Sequence, residues 1–240
     1  YEALNLAKEY YHYLLTTHKL GEKARAYLSQ RGITNATIQT FKLGYALNSW
    51  DALQQYLINK KKYTEHELLD AGLIITSTNT KRPYDRFRDR VMFPLTDHQG
   101  RVVGFSGRVM DSSIKEAKYI NSPETQLYHK SQLLFGYSTL KNIIKKEEEV
   151  FVVEGELDAL SSYQAGVENI VAIKGSALTD AQAKLLSRTV KKIILALDAD
   201  AAGREATARA IQVVQPYDLN LRVLPLTGGK DPDAIAKDHP

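Results

Sequence analysis

Three pairs of carboxylates in the second half of this chain each follow a run of apolar residues. They are Glu154 and Asp158 in VFVVEGELD, Asp198 and Asp200 in LALDAD, and Asp231 and Asp233 beyond LRVLPL in GGKDPD. In LDAD the spacing places both aspartates on the same side of an extended strand, where they can share a cation. Carboxylate oxygens favour Mg²⁺ or Mn²⁺, and Mg²⁺ usually keeps positions for phosphate oxygens and water. The pattern therefore predicts a divalent-cation site with room for a phosphate.

Each acidic residue also has a simpler interpretation. A single Asp after a strand is more often a helix cap or a turn residue, and we assign Asp180 in LTDAQ to that role. Glu156 is assigned to the first turn of a helix, where the helix dipole stabilises negative charge. Glu154 directly follows VFVV, and carboxylates are rarely buried without a partner. Three acidic pairs at one edge would repel one another, and a divalent cation would offset that repulsion.

The elements that position these residues alternate from residue 149 onward. They are VFVVEG, ELDALSSYQAG, NIVAIKG, TDAQAKLLSRTV, KIILALDAD, GREATARAIQVV and LRVLPL. Strands that are apolar on both faces, each followed by an amphipathic helix, predict a parallel sheet covered by helices on both sides. Ligands of such sheets bind beyond the carboxyl ends of the strands. The acidic pairs are therefore expected to converge at one edge of the sheet.

The first half of the chain has a different pattern. Residues 1 to 70 predict helices joined by short loops, including one in TIQTFKLGYA. Residues 73 to 110 predict a small antiparallel sheet in which DHQG is a hairpin turn. Residues 111 to 130 predict an ordered loop, and YSTLKNIIKKEEE predicts a helix.

Composition narrows the class of protein. With 240 residues, 43% of them hydrophobic, the chain is expected to fold as one large domain or two small ones. The sequence has no cysteine, so any metal is expected to have oxygen or imidazole ligands. Without an apolar run of about 18 residues, a soluble cytoplasmic protein is expected. The net charge of +4 is weak support for a nucleic-acid partner, but the basic residues cluster between 81 and 130, whereas the acidic pairs lie after 150.

Several motifs resemble a known family. VVEG with Asp158, LALDADAAGREA and GGKDPD resemble the Toprim module of DnaG-type primases, type IA and II topoisomerases and some nucleases. Upstream, YLSQRGI, FKLGYALNSWDAL, YDRFRDRVMFPLTD, QGRVVGFSGRV, KYINSPET and YHKSQLLFGY resemble, in that order, the RNA polymerase core of bacterial DnaG primases. The resemblance covers about residues 25 to 235. It implies a basic N-terminal mixed α/β subdomain over 1–145, a Toprim α/β domain over 146–240 and an active site in the cleft between them.

The resemblance also implies roles for individual residues. Two or more Mg²⁺ or Mn²⁺ ions would be held by Glu154, Asp158, Asp198, Asp200, Asp231 and Asp233, and Glu154, Asp198 and Asp200 would be catalytic. The residues that contact nucleotide and template would be Arg31, Arg86, Arg88, Arg108, Lys118, Tyr119, Asn121 and Lys130. Any one of these basic residues alone would more often be a solvated surface charge. The implied activity is that of a DNA-directed RNA polymerase that makes short RNA primers by metal-dependent nucleotidyl transfer.

The implied partners are a single-stranded DNA template, NTPs and the RNA primer, bound by a monomeric core at a bacterial or phage replication fork. Two modules usual in the family, a zinc-binding N-terminal domain and a helicase-binding C-terminal domain, are not in this sequence, so zinc and the replicative helicase are expected to bind only there. The chain does not begin with Met and stops soon after DPD, so we expect a fragment that lacks part of a C-terminal helical subdomain.

The sequence also departs from the family pattern. Many DnaG primases have EGYMD or EGFMD where this chain has EGELD, DGD where it has DAD, and SLGT where it has IKGS. Two roles stay open for Lys174, namely contact with a nucleotide phosphate and neutralisation of surplus acidic charge. Two other functions compete with the primase: a metal-dependent Toprim nuclease, and a non-catalytic nucleic-acid-binding module, against which the intact acidic set argues.

Overall fold

The computed structural model of the chain describes residues 1–111, 117–175, 177–226 and 231–238. Part of the predicted loop, 112–116, and the Gly-Gly-Lys of GGKDPD, 228–230, lie outside the described residues. The chain divides by packing into two compact units, Tyr1–His129 and Lys130–Pro240. Among the described residues, none of the helices combines the length and the apolar character that crossing a membrane requires.

The first unit begins with the predicted helices. They are α1 (Glu2–Thr16), α2 (Glu22–Gln30), α3 (Asn35–Thr40), α4 (Ala52–Gln55), which continues as a π-helical turn over Tyr56–Lys60, and α5 (Glu65–Asp70). Capping side chains mark the start of several of these helices. Thr34 caps α3 by accepting a hydrogen bond from the Thr37 N–H, and Thr64 forms a capping box with Glu67 at α5. The apolar face of α1 then packs into the core through Leu4, Ala7 and Tyr11.

Within the described part of the first unit, six strands follow or interrupt these helices. They are β1 (Gly44–Ala46), β2 (Ile74–Thr76), β3 (Pro83–Asp85), β4 (Arg90–Thr96), β5 (Val102–Val109) and β6 (Tyr119–Asn121). An antiparallel sheet has the order β1-β4-β5-β6, and β2 pairs with β3 in a separate two-stranded sheet. The predicted β4–β5 hairpin turns at DHQG, where Gly100 has a left-handed φ of 84°.

Two of these strands correct the sequence-based prediction. Gly44–Ala46 falls within the segment predicted to be helical, but it pairs with β4, and a Cβ at Gly44 would lie 2.5 Å from Cβ of Tyr11 in α1. Tyr119–Asn121 falls within the predicted loop and pairs with β5. Both strands have only three residues, too few for an alternating pattern, and they exist because of pairing and packing with distant residues.

The second unit follows the predicted alternation of strand and helix. Its elements are α6 (Tyr137–Glu147), β7 (Glu149–Val153), α7 (Glu156–Gln164), β8 (Ile170–Ala172), α8 (Asp180–Ser187), β9 (Lys192–Leu195), α9 (Ala201–Val214), β10 (Asn220–Val223) and α10 (Pro232–Asp238). The four strands are parallel in the order β10-β9-β7-β8. The predicted parallel sheet is therefore confirmed.

The register of this sheet brings the acidic segments together. Val152 of β7 is paired with Leu195 of β9, and both are fully buried, so the two strands end side by side. Beyond these positions, β7 leads directly into Glu154, and β9 leads through Ala196 and Leu197 into Asp198. The second unit also includes α6, which packs on β7 and β8. The second unit therefore begins at Lys130, before the predicted boundary between 145 and 146.

Candidate active site

The turn between β7 and α7 carries the first acidic pair. Gly155 precedes the helix, and its N–H donates to Oδ2 of Asp158 at 2.9 Å, so this carboxylate closes the turn from inside the first turn of α7. Burial is the main cause that raises the pKa of Asp158 to about 7. The Gly155 N–H opposes that rise, whereas the negative charges of Asp198, Asp231 and Asp233 add to it.

Glu154 joins the ends of β7 and β9. Its Oε1 accepts a hydrogen bond from the Asp198 N–H at 3.1 Å. The pKa of Glu154 is raised, first by burial and then by the charge of Asp198, with a smaller contribution from Asp200. Glu154 of the first acidic pair therefore lies close enough to the second pair for a hydrogen bond to its main chain and for its charges to raise the Glu154 pKa.

The segment after β9 is shaped by close packing. Asp200 caps α9, because its Oδ1 accepts from the Gly203 N–H at 2.8 Å. Gly203 lies against the Asp198 main chain, where a Cβ would come within 1.9 Å of the carbonyl oxygen. A side chain at position 203 would thus displace Asp198. Gly203 was not among the site residues predicted from the sequence, although glycine is the residue that allows such a close approach of the main chain.

The third acidic pair belongs to the start of α10. Oδ1 of Asp231 accepts from the Ala234 N–H at 2.8 Å. Asp233 is buried, accepts from the Ser161 hydroxyl of α7 and pairs with Lys237 at 2.6 Å. In this structure Asp233 fastens α10 to α7, in addition to acting on the pKa of Asp158.

Glu156, which was assigned to the first turn of a helix and not to the metal site, has a specific partner. It lies in the first turn of α7 as predicted, but it is buried and forms an ion pair with Lys174, and each side chain is only 4% exposed. Lys174 follows β8 with a left-handed φ of 56°, and its N–H donates to the carbonyl of Glu154 at 3.0 Å. Burial lowers the pKa of Lys174, and Glu156 opposes that effect. Lys174 therefore neutralises the charge of Glu156 in this structure, and its contact with a nucleotide phosphate stays a prediction.

The carboxylates fit a divalent cation by their chemistry. They are hard oxygen donors. The pKa values of Glu154 and Asp158 are raised first by burial and then by the charges of neighbouring aspartates, and a cation would relieve that second effect. In the part of the chain that the structure describes, no three acidic or histidine side chains are placed to hold an ion together. Four of the six instead accept main-chain N–H groups. Each of these contacts engages one carboxylate oxygen, so the other oxygen of each side chain could still bind a cation.

The predicted basic residues lie mainly in the first unit, and several of them contact one another. Arg86 donates from Nε and Nη2 to the Asn121 carbonyl, at 3.2 and 3.0 Å. Arg108 is buried and donates to the hydroxyls of Tyr27 and Tyr119, both at 2.6 Å. These contacts connect β5 and β6 to each other, to Tyr27 of α2 and to Arg86, which lies between β3 and β4.

The other basic residues are distributed more widely. Arg31 follows α2 with its guanidinium 5.6 Å from the ring of Tyr27, Lys118 is exposed before β6, and Arg88 lies over the ring of Trp50. Lys130 is exposed and belongs to the second unit. Neither Tyr27 nor Trp50 was among the site residues predicted from the sequence, although an aromatic residue beside a basic cluster is typical of nucleic-acid binding.

Comparisons with known proteins agree with this architecture. The family described as the DNA primase catalytic core, N-terminal domain, matches residues 10–141, and the Toprim-like family matches residues 151–236. The chain belongs to the DNA primase catalytic core family. The family boundary lies between 141 and 151, close to the predicted division at 145, whereas packing places α6 in the second unit.

Two curated relatives show how much of a primase is covered. The chain is 42% identical to the DNA primase of Clostridium acetobutylicum over 90% of its length, and 42% identical to that of Synechococcus elongatus over its whole length. In both cases it spans 35% of the relative. The chain therefore corresponds to about a third of these primases.

Solved primase structures share the fold. A DnaG primase catalytic domain bound to ssDNA superposes with a TM-score of 0.89 at 33% identity, over 99% of this chain and 74% of that one. A DNA primase domain from Pseudomonas aeruginosa gives a TM-score of 0.89 at 37% identity, again over 99% and 74%. The fold expected from the resemblance is thus confirmed as that of a primase catalytic core.

Proposed function

We propose that this primase core synthesises short RNA primers on single-stranded DNA, as a DNA-directed RNA polymerase that uses NTPs. The observation that carries the proposal is the hydrogen bond from the Asp198 N–H to Glu154 at the ends of adjacent parallel strands, in a chain of the primase core family. Support for a DNA template comes from the related catalytic domain described as bound to ssDNA. The proposed place of action is the replication fork, and helicase recruitment is assigned to parts of the protein outside this sequence.

We assign the divalent cations, Mg²⁺ or Mn²⁺ and two or more in number, to the acidic edge of the second unit. Glu154, Asp198 and Asp200 would hold them with help from Asp158, Asp231 and Asp233. When bound, such ions neutralise charge on a triphosphate and favour ionisation of the attacking hydroxyl. Asp233 is the weakest candidate for a direct ligand, because Ser161 and Lys237 already engage both of its carboxylate oxygens.

The chain's own residues would mainly orient the reacting groups and stabilise charge. Glu154 and the Asp198 N–H fix the ends of β7 and β9 relative to each other, and Asp158 fixes the β7–α7 turn. Their raised pKa values indicate that these carboxylates bind protons more readily than isolated ones, so protons and cations compete for them. Phosphoryl transfer depends mostly on positioning and charge stabilisation, which this arrangement supplies.

The basic residues divide into two proposed roles. Arg108 is buried and donates to the hydroxyls of Tyr27 and Tyr119, so it would position Tyr119. Arg86 is half-buried and donates to the Asn121 carbonyl, so it would present a preformed cationic group. Lys118 is exposed and suited to direct contact with template phosphates. Lys130, Arg31 and Arg88 are assigned to the same nucleotide- and template-binding set. Phosphate contacts of this kind predict that template binding weakens as salt concentration rises.

The proposal is tested by incubating the chain with single-stranded DNA, labelled NTPs and Mg²⁺ or Mn²⁺. Template-dependent short RNA is the expected product. Glu154→Gln removes the charge but keeps the shape of the side chain, and primer synthesis should fall at least about 100-fold. Glu168→Gln is the matched control, because Glu168 is exposed in the loop before β8 and should not affect synthesis.

Two results would contradict the proposal. Shortened DNA with no RNA made would identify a nuclease instead. Full synthesis by Glu154→Gln would refute the assignment of the acidic edge, even if the primase activity itself were real. Amide substitutions are better suited than alanine here, because they keep an oxygen for the N–H contacts that organise the turns.

A further inference from the structure

A cationic side chain at the start of α9 has no role in the site described above. Arg204 is the fourth residue of this helix, which Asp200 caps. Its Nη1 donates to the carbonyl of Ala199 at 2.9 Å, and Ala199 lies between Asp198 and Asp200 in the sequence. The guanidinium is therefore held beside the segment that carries the second acidic pair.

Most of the Arg204 guanidinium stays available for a ligand. The side chain is exposed, and no carboxylate of the described residues forms an ion pair with it. Arg209, further along α9, is also exposed but pairs with Glu205 at 3.5 Å. A guanidinium has N–H donors arranged in a planar fork that can bind two oxygens of one anion. The contact with Ala199 thus fixes the position of Arg204 and leaves N–H donors of its fork unused.

The stability of α9 does not account for a cation at this position. The N-terminal end of a helix carries partial positive charge, so a cation there is unfavourable and an anion is favourable. The first turn of α9 has no acidic residue, and the Asp200 cap precedes it. The charge of Arg204 therefore adds to that of the helix end, and both attract an anion beside the acidic edge.

The anion that the proposed reaction brings to the acidic edge is the triphosphate of an NTP. Its charge is only partly neutralised there, because Glu154, Asp198 and Asp200 themselves offset part of the charge of any cation they hold. A guanidinium can neutralise the remainder through hydrogen bonds to phosphate oxygens. We propose that Arg204 binds the triphosphate of the incoming NTP. This inference rests on the proposed function, because that reaction is the source of the NTP.

The kinetics of primer synthesis test this contact. The NTP concentration is varied at saturating single-stranded DNA and Mg²⁺ for the parent chain and its variants. Arg204→Gln removes the charge but keeps an N–H donor for Ala199, and it should raise the KM for NTP by roughly 10- to 100-fold. The change in kcat should be smaller, because a contact with the triphosphate stabilises the bound substrate and the transition state alike.

Two further variants separate a phosphate contact from a local structural role. Arg204→Lys keeps the cation but loses the fork, so its KM for NTP should lie between those of the parent chain and Arg204→Gln. Arg209→Gln is the matched control, because Arg209 is exposed on the same helix and pairs with Glu205, and its KM should equal the parent value. A role limited to the Ala199 contact would instead leave Arg204→Gln close to the parent chain.

Binding measured without turnover keeps this inference separate from the proposed function. Inorganic triphosphate with Mg²⁺ is titrated into the chain by calorimetry. Arg204→Gln should weaken this binding by the same factor by which it raises the KM for NTP. Binding of labelled single-stranded DNA, measured by anisotropy, should be the same for Arg204→Gln and the parent chain.

The possible outcomes are distinct. Equal affinity of Arg204→Gln and the parent chain for inorganic triphosphate, or no binding by either, would overturn the Arg204 contact while primer synthesis stands. Weaker binding of single-stranded DNA with an unchanged KM for NTP would also overturn it, since Arg204 would then contact the template. A parent chain that makes no RNA, but binds triphosphate more tightly than Arg204→Gln does, would contradict the proposed function alone. Circular dichroism of each variant must match that of the parent chain, and Arg204→Lys keeps the comparison valid if Arg204→Gln unfolds.

Discussion

Replacing Lys174 with Met is expected to destabilise the second unit because it leaves Glu156 buried without its cation. The two side chains are each 4% exposed, so water cannot take the place of the lost ammonium group. Removing one member of a buried ion pair typically costs about 3–5 kcal/mol of unfolding free energy. For a chain of 240 residues, this corresponds to a fall in Tm of about 6–20 °C.

The double variant Lys174→Met with Glu156→Leu should recover most of that loss. Two apolar side chains of similar volume avoid the desolvation of two charges, and such replacements of buried pairs are often neutral or stabilising. The test is a double-mutant cycle measured by urea unfolding with circular dichroism. Lys191→Met is the matched control, since Lys191 pairs with Glu148 at the surface with side chains 78% and 54% exposed. An exposed pair of this kind contributes at most about 1 kcal/mol.

Equal losses from Lys174→Met and Lys191→Met would refute the reasoning, because burial would then make no difference. A double variant as unstable as Lys174→Met alone would also refute it. The lost unfolding free energy would then come from packing of the lysine stem and not from the Glu156 carboxylate that has lost its lysine. Primer synthesis by the stable double variant is a separate readout, and it would show whether the ion pair serves only the fold.

Three further predictions follow from single contacts. Burial is the main cause that raises the pKa of Asp85 to about 7, whereas the unfolded value is near 3.9. Between these values the folded state binds more protons than the unfolded state, so the unfolding free energy should fall as pH rises, by up to about 1.4 kcal/mol per pH unit. Asp85→Asn should flatten that part of a urea-unfolding pH profile, and an unchanged slope would contradict this assignment. Gly203→Ala should cost about 1–3 kcal/mol in the same assay and reduce primer synthesis, because its Cβ would collide with the Asp198 carbonyl; a variant with parental stability and activity would contradict the close approach. Asp233→Asn should lower stability by about 1–3 kcal/mol but reduce synthesis less than Glu154→Gln does, and the reverse order would show that Asp233 is a metal ligand.

The second unit could be predicted largely from local patterns. Strands such as β7 and β9 are continuous apolar runs, and the positions of Glu154 and Asp198 at their ends follow from the parallel arrangement. The carboxyl ends of neighbouring strands lie together in any such sheet, so the convergence of these two residues required no knowledge of distant contacts.

Contacts between distant residues could not be predicted in the same way. Glu156 has the position expected of a helix-dipole residue, and only the fold brings Lys174 from the end of β8 to meet it. A lysine that directly follows an apolar strand was the available signal, since such a charge needs a partner when buried. The same limit explains the missed strand β1, which depends on Tyr11 and β4.

Strand β10 lies at the edge of the second sheet, and this position has a consequence for the behaviour of the chain in concentrated solution. β10 pairs with β9 on one side, and no strand of the described residues pairs with its other side. Val223 and the adjacent Leu224 are 48% and 45% exposed. An uncovered strand edge with apolar side chains can accept a strand from another molecule. Self-association through β10 is therefore the expected form of aggregation, and a lysine at position 223 is the substitution that should suppress it.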